Sequence, residues 1–358
     1  MQVGSLRGNP PYFCGGAGWA KAQLQTFPSL PDPIWYDRFT LNARYLMKRL
    51  ISLAVSSLIL AVIYGKIDFP ALIQVLQNCH RLWMAVSLGM VVPLTALTSW
   101  RLQQLAPAGT GLGFGEANRL ILAASTLNMV LPSKMGDIAK AYFMRERGQL
   151  SGALSLSLVV FEKACDMLSL LLWCAFGLIL HPQKDWLFWI MTGTVAFGLA
   201  AGLLLLSSRR FAELFFATGS RLAPKKFRVK LDKLRFSWYA THEYFWRDRA
   251  HLAKIAGTSV FIWFGHLLQI WFFILALNAW TPFLANLALS PLAILAGLLP
   301  LTFAGVGTRD AALILFYQPY FDASTGAALG LLCTSRYLIP AIAGLPFLGQ
   351  YLAAVQKT

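Results

Sequence analysis

IAGTSVFIWFGHLLQIWFFILALNAWTPFLANLALSPLAILAGLLPLTFAGVGT, residues 255–308, runs for 54 residues without an Asp, Glu, Lys or Arg. One membrane-spanning helix needs only about 20 apolar residues, and soluble domains are about one-quarter charged. The stretch therefore holds more than one membrane passage. Working outward, the 358-residue chain is 57% hydrophobic and 13% charged, with a mean hydropathy of +0.57. These values exclude a soluble two-domain enzyme, a disordered chain and a disulfide scaffold. The fold class they predict is an all-α polytopic membrane protein.

Apolar runs at 50–65, 82–100, 154–180, 186–207, 255–277 and 326–352 predict about six spanning helices. Lys and Arg are lopsided, 31 against 15 acids, for a formal net charge of +16. Residues 1–49 carry six, 133–147 four, and 209–250 eleven against four acids. The connections 64–81, 181–185, 279–290 and 319–325 carry two, one, none and none. Basic connections stay in the cytoplasm, so the first group is expected inside, together with both termini. The segment 101–147 must then begin and end on one face, and the segment 290–321 on the other. Neither has the apolar length for a double crossing, so each is expected to enter and return. Two re-entrant helical hairpins result, one from each face. Such backbone survives at membrane depth only against protein or a water-filled cavity.

The two halves resemble each other in reverse orientation. Leu131-Pro132 leading to Gly136-Asp137 parallels Leu299-Pro300 leading to Gly305-Val306-Gly307-Thr308-Arg309-Asp310. Downstream, Ser151-Gly152-Ala153-Leu154 parallels Ser324-Thr325-Gly326-Ala327-Ala328-Leu329, and Glu162 and Arg336 follow at matching distances. The expected organisation is a flexible cytoplasmic tail (1–43), a first membrane repeat (44–208), a basic cytoplasmic loop (209–250) and a second, inverted repeat (251–358). Broken segments at corresponding places in opposed repeats point to a transporter's substrate site.

Charges inside apolar runs mark that site, because each costs on the order of 3 kcal/mol at the bilayer centre. Glu162 and Asp166 are four apart and share one helical face; Lys163 is one residue off it. Counting depth along the helices places Arg336 level with Glu162, which predicts an ion pair between them. That pair would either lock the halves together or line a shared polar cavity. Asp137 and Lys140 lie one turn apart. Arg309 and Asp310 open a helix after Gly305 and Gly307, where free backbone N–H groups and a planar guanidinium suit a phosphate. Mutual neutralisation of Arg309 and Asp310 is the competing reading.

The remaining features are less specific. The five Cys form no CxxC, the five His have no ligand spacing, and no metal or cofactor is expected. The glycine run 109–115 follows no strand, so it is not a nucleotide loop. The loop 209–250 mixes basic and aromatic residues as an amphipathic helix on an anionic leaflet does, without invoking nucleic acid. Residues 1–43 contain no apolar signal-peptide core.

In order and spacing, Asn128-x-x-Leu131-Pro132-x-x-x-Gly136-Asp137-x-x-Lys140, then Glu162-Lys163-x-x-Asp166, then Pro300-x-x-x-x-Gly305-x-Gly307-x-Arg309-Asp310, then Arg336, resemble the lysylphosphatidylglycerol synthase transmembrane-region family over about 45–355. The family commonly has Arg at the positions of Lys140 and Lys163, Gly at Ala304 and Glu at Asp310. The resemblance implies an inner-membrane flippase of a bacterial type that translocates a polar-headgroup lipid without synthesising it. Its partners would be membrane lipids, either anionic phospholipid or polyprenyl phosphate, with a homo-oligomer or a lipid synthase as possible protein partners. Its substrate-binding residues would be Asp137, Lys140, Glu162, Asp166, Gly305, Gly307, Arg309, Asp310 and Arg336. An intramembrane polyprenyl-phosphate-dependent glycosyltransferase, with Asp137 or Glu162 as base, and an accessory subunit of a lipid synthase are the alternatives.

Overall fold

A computed structural model describes residues 69–107, 110–130, 136–148, 150, 152–180, 184, 186–222, 248–298 and 307–355, with residues 228, 235, 238, 239, 242 and 246 between them. The expected tail and the expected span 50–65 lie outside the described residues, as do Leu131, Pro132, Pro300 and Gly305. The described residues form helices and no strand. In chain order these are α1 (Phe69–Gln77), α2 (Arg81–Gly89), α3 (Val91–Leu105), α4 (Phe114–Val130), α5 (Gly136–Gly148), α6 (Gly152–Leu180), α7 (Trp186–Ser207), α8 (Arg209–Leu222), α9 (Arg249–Ala276), α10 (Phe283–Gly297), α11 (Thr308–Tyr317) and α12 (Ala323–Val355).

Five passages are long and apolar enough to cross a bilayer: Arg81–Leu105, Leu154–Leu180, Phe188–Ser207, Arg249–Ala276 and Ala323–Tyr351. The first is two helices meeting at Met90, and it continues past the expected end at residue 100 to Leu105. α9 shows why a span starts and stops where it does. Asp248 caps its first turn by accepting from the His251 N–H at 2.9 Å, and Asn278 leaves the helix with φ 54°. Asn is among the few residues that tolerate this left-handed conformation. Between α4 and α5, and between α10 and α11, the elements are shorter. At 17 and 15 residues, α4 and α10 fall below the roughly 20 a crossing needs.

Close backbone approaches hold these elements, as expected where helices pack in lipid without a hydrophobic driving force. α4 lies along α12, with Gly344 directly against the Leu122 carbonyl. There the Thr126 hydroxyl donates to the Ala341 carbonyl at 2.6 Å, and Tyr351 donates to Glu116 at 2.7 Å. α10 lies along α6, with Gly177 against the Ala288 backbone. Every residue of α10 from Asn286 to Ile294 is buried. Its polar atoms are matched: Tyr317 and Ser290 donate to the Asn286 side chain at 2.8 and 2.9 Å, and Asn286 donates to the Leu267 carbonyl at 2.9 Å. α7 is the opposite case, since only Phe188 and Val195 are buried among its described residues.

Two apolar clusters make the core. One gathers the end of α6 from Leu170, the latter part of α9 from Leu267, most of the buried stretch of α10, and α12 from Ala327 to Cys333. The other gathers α3 to α5, the start of α6 up to Cys165, Ile255 and Tyr351. Helices α6, α9 and α12 pass through both clusters. Their polar residues Glu162, Asp166, Ser259, His266 and Arg336 fall at the junction between them.

Candidate functional site

The seam between the apolar clusters is occupied by charge. Glu162 on α6 accepts from Lys140 of α5 at 2.5 Å and from Arg101 of α3 at 3.2 Å, and all three side chains are 1% exposed. Arg101 also donates to Asp166 at 2.6 Å and to the Ser259 hydroxyl of α9 at 2.9 Å. Lys163 then bridges Asp166 at 3.6 Å and Asp137 at 3.2 Å, with 44% of its side chain exposed. The result is an alternating chain of three cations and three anions that runs from the buried Lys140 to the open Asp137–Lys163 edge. Three helices, α3, α5 and α6, contribute its charges, and α9 adds the Ser259 hydroxyl. Unpaired, each buried charge would carry a desolvation cost of several kcal/mol.

The expected pair of Glu162 with Arg336 does not form. Lys140 and Arg101 already occupy both carboxylate oxygens of Glu162. Arg101 is the residue that the sequence reading missed. As the first charge after an apolar run, it has the sequence signature of the cytoplasmic end of a span. The helix instead continues for four residues and carries Arg101 into the protein. A signal was available, since buried acids at positions 162 and 166 require a cation from some neighbouring helix.

The second charged cluster is self-contained. Arg309 donates to Asp310 at 2.6 and 3.0 Å, to the Gly330 carbonyl at 3.0 Å and to the Thr334 hydroxyl at 2.6 Å. Asp310 in turn accepts from the Gly307 N–H at 3.0 Å, closing the first turn of α11. Gly307 has φ 102°, a conformation that favours glycine. The helix start expected to receive a phosphate is thus filled by the protein's own carboxylate. Arg309 ties α11 to α12, which follows the neutralisation reading. Of the expected cradle, Gly305 lies outside the described residues.

Arg336 differs from the others. It is 4% exposed, donates to the Tyr337 hydroxyl at 2.9 Å and has its guanidinium 4.9 Å from that ring's centroid. Its Nε and Nη1 are buried without a hydrogen-bond partner, and no acid among the described residues pairs with it. His266 on α9 likewise has a buried, unpartnered Nδ1 and lies within electrostatic range of Arg336, Asp166 and Arg101. Pro340 follows Arg336 by one turn inside α12. A proline has no N–H to give, so the Arg336 carbonyl loses its regular helical partner. Two guanidinium nitrogens and an imidazole nitrogen are therefore left unsatisfied in one part of the seam.

Two comparisons bear on what this arrangement belongs to. Residues 49–344 match the family model described as the lysylphosphatidylglycerol synthase TM region. The UPF0104 membrane protein MJ1595 of Methanocaldococcus jannaschii is 23% identical over 312 residues, covering 83% of this chain and 93% of that protein. The matched model is the membrane region of that synthase family, consistent with a transporter rather than an enzyme. The chain belongs to the lysylphosphatidylglycerol synthase transmembrane-region family of flippase-like, lipid-handling integral membrane proteins.

Proposed function

We propose that this protein translocates a lipid with an anionic, polar headgroup across a bacterial-type inner membrane, and that Arg336 receives the lipid's phosphate in the seam. Phospholipid, aminoacyl-phospholipid and polyprenyl-phosphate-linked lipid share that group. The observation that carries the reading is the unmatched charge of Arg336. The Glu162 network balances its own charges, and Arg309 is balanced by Asp310. Arg336 alone among these buried cations has no described carboxylate. A buried guanidinium without an anion is costly, and intramembrane ionisable residues of this kind mark substrate pathways. The open Asp137–Lys163 edge offers both signs of charge to a zwitterionic or aminoacylated headgroup.

The inverted repeat belongs to the same proposal. Exchanging α3 with α9, α4 with α10, α5 with α11 and α6 with α12 maps the packing onto itself. The α4–α5 contact becomes α10–α11, α5–α6 becomes α11–α12, and α4–α12 becomes α10–α6. This self-mapping supports two opposed units, 44–208 and 251–358, each with a hairpin that enters and returns. The basic loop 209–250 then lies on the cytoplasmic face by its charge.

The test is translocation in sealed vesicles, using a labelled phospholipid and a labelled polyprenyl phosphate in separate assays and scoring covalent products alongside. Arg336→Gln is expected to slow transport roughly tenfold or more, since a hydrogen bond to a charged group is worth about 1.5–3 kcal/mol. Arg336→Lys should retain part of the rate, because it keeps the charge but loses the planar fork. Wild-type transport by Arg336→Gln, or a covalent product in place of transport, overturns the proposal.

A further inference from the structure

A second, separate feature lies on the lipid-facing side of α6, away from the charged seam. A cleft of about 300 Å³ separates α6 from the last third of α7. Its α6 wall is apolar, including Val160, Met167 and Leu171. Its α7 wall is opened by two glycines: Gly202 faces Leu168 and Gly198 faces Leu171. An aromatic ladder closes one end. Trp238 and His242 have ring centroids 4.7 Å apart, and His242 and Trp246 5.7 Å apart, at a four-residue helical spacing. The Trp246 indole donates to the Leu206 carbonyl at 2.7 Å, which fastens the ladder to α7. Burial holds the His242 imidazole below its ordinary value, and the ring lines the cleft between the two tryptophans.

Three observations identify what fills the cleft. The first is its surroundings: α7 is the most exposed of the five long helices, with Leu203 and Leu204 exposed along it, and the half-exposed Phe215 lines the cleft itself. The medium at the cleft is hydrocarbon. The second is depth. α7 ends beside Arg209, and Gly198 lies about 16 Å from that residue along a helix. This is half of a hydrocarbon core about 30 Å thick, the reach of one chain from one leaflet. The third is charge. Arg209 donates to His242 at 3.4 Å, and the Arg249 guanidinium lies 5.9 Å from the Trp246 ring centroid. Two cations thus abut the residues that line the cleft, in a segment with eleven Lys and Arg against four acids.

We infer that this cleft is a binding site for one acyl chain of an anionic phospholipid drawn from the leaflet on which segment 209–250 lies. The headgroup phosphate sits at the Arg209–Arg210 rim, and the chain runs down past Gly202 to Gly198. The site holds no part of the ionic seam, so it stands or falls independently of lipid transport.

The experiment uses the full chain in vesicles of zwitterionic phospholipid. These are doped with a phosphatidylglycerol bearing a photoreactive group near the end of one acyl chain, or with the matching phosphatidylcholine. Labelled peptides are mapped by mass spectrometry. A basic residue near an anionic surface is worth about fivefold in binding. The anionic probe should therefore label the α6 and α7 segments around Met167 and Gly202 at least about fivefold over its zwitterionic partner. Arg209→Gln combined with Arg210→Gln should bring that preference close to one while leaving residual labelling by both probes. Gly202→Phe should remove labelling by both. The two arginines are exposed, so the double variant remains decisive if Gly202→Phe does not fold. Equal labelling by the two probes in the wild-type chain shows only unselective annular lipid and overturns the inference. An anionic preference that survives the arginine double variant also overturns it.

Discussion

At the residue scale, Arg101 and Arg336 are both buried arginines in membrane helices, and they should respond to mutation in opposite ways. Removing Arg101 leaves Glu162 and Asp166 short of a partner in a low-dielectric interior. Breaking a buried pair in this way costs about 3–5 kcal/mol, so Arg101→Met should give a large fall in thermal stability in detergent, followed through tryptophan fluorescence. Arg336 has no anion to strand. Arg336→Met should leave stability unchanged or raised while abolishing transport. A matched loss of both in Arg336→Met would make it a structural residue. The sequence made Glu162, Asp166 and Arg336 legible because a charge inside an apolar run is conspicuous. It hid Arg101 because a charge at the end of an apolar run resembles a helix boundary. The partners of Glu162 were illegible for a different reason. Lys140 lies on another helix, and only tertiary packing decides which of several cations reaches a given carboxylate.

At the element scale, the close contact of α4 with α12 depends on the absence of a side chain at residue 344. A Cβ there would overlap the Leu122 carbonyl, which is backbone and cannot swing aside. Gly344→Leu should therefore destroy the monodisperse folded species. Gly349→Leu, on the same helix with nothing within 4 Å, should be tolerated, and size-exclusion chromatography of the two variants compares them directly. The element boundaries that the sequence placed well are the uninterrupted ones: the expected span 186–207 coincides with α7, and 255–277 nearly shares its end with α9, which starts six residues earlier at Arg249. Where passages are short or broken, composition says less. The segment expected to enter at 290 begins as a helix at Phe283, and its first residues are as apolar as the span before it. Proline punctuates this region without ending its helices, since Pro291, Pro340 and Pro346 all sit inside them. Neighbouring helices in a membrane re-satisfy the backbone groups that proline frees.

At the scale of the whole molecule, the proposed topology places segment 209–250 and the connection after α9 on opposite faces. Single cysteines at Arg210 and Trp280, both exposed, test this in a cysteine-free background. A membrane-impermeant thiol reagent added to intact cells should modify Trp280→Cys and spare Arg210→Cys until the membrane is opened. The reverse pattern would invert the topology, and equal labelling would abolish it. The ionic seam has a further consequence for how the molecule moves in time. In an ordinary membrane helix, amide hydrogens exchange fastest at the two ends and slowest at the centre, where water is scarcest. In α12 the centre carries Arg336, a helical hydrogen bond missing at Pro340 and polar neighbours on α9. Deuterium should therefore enter α12 near residues 336–340 sooner than it enters the flanking turns, while α7 keeps the ordinary profile.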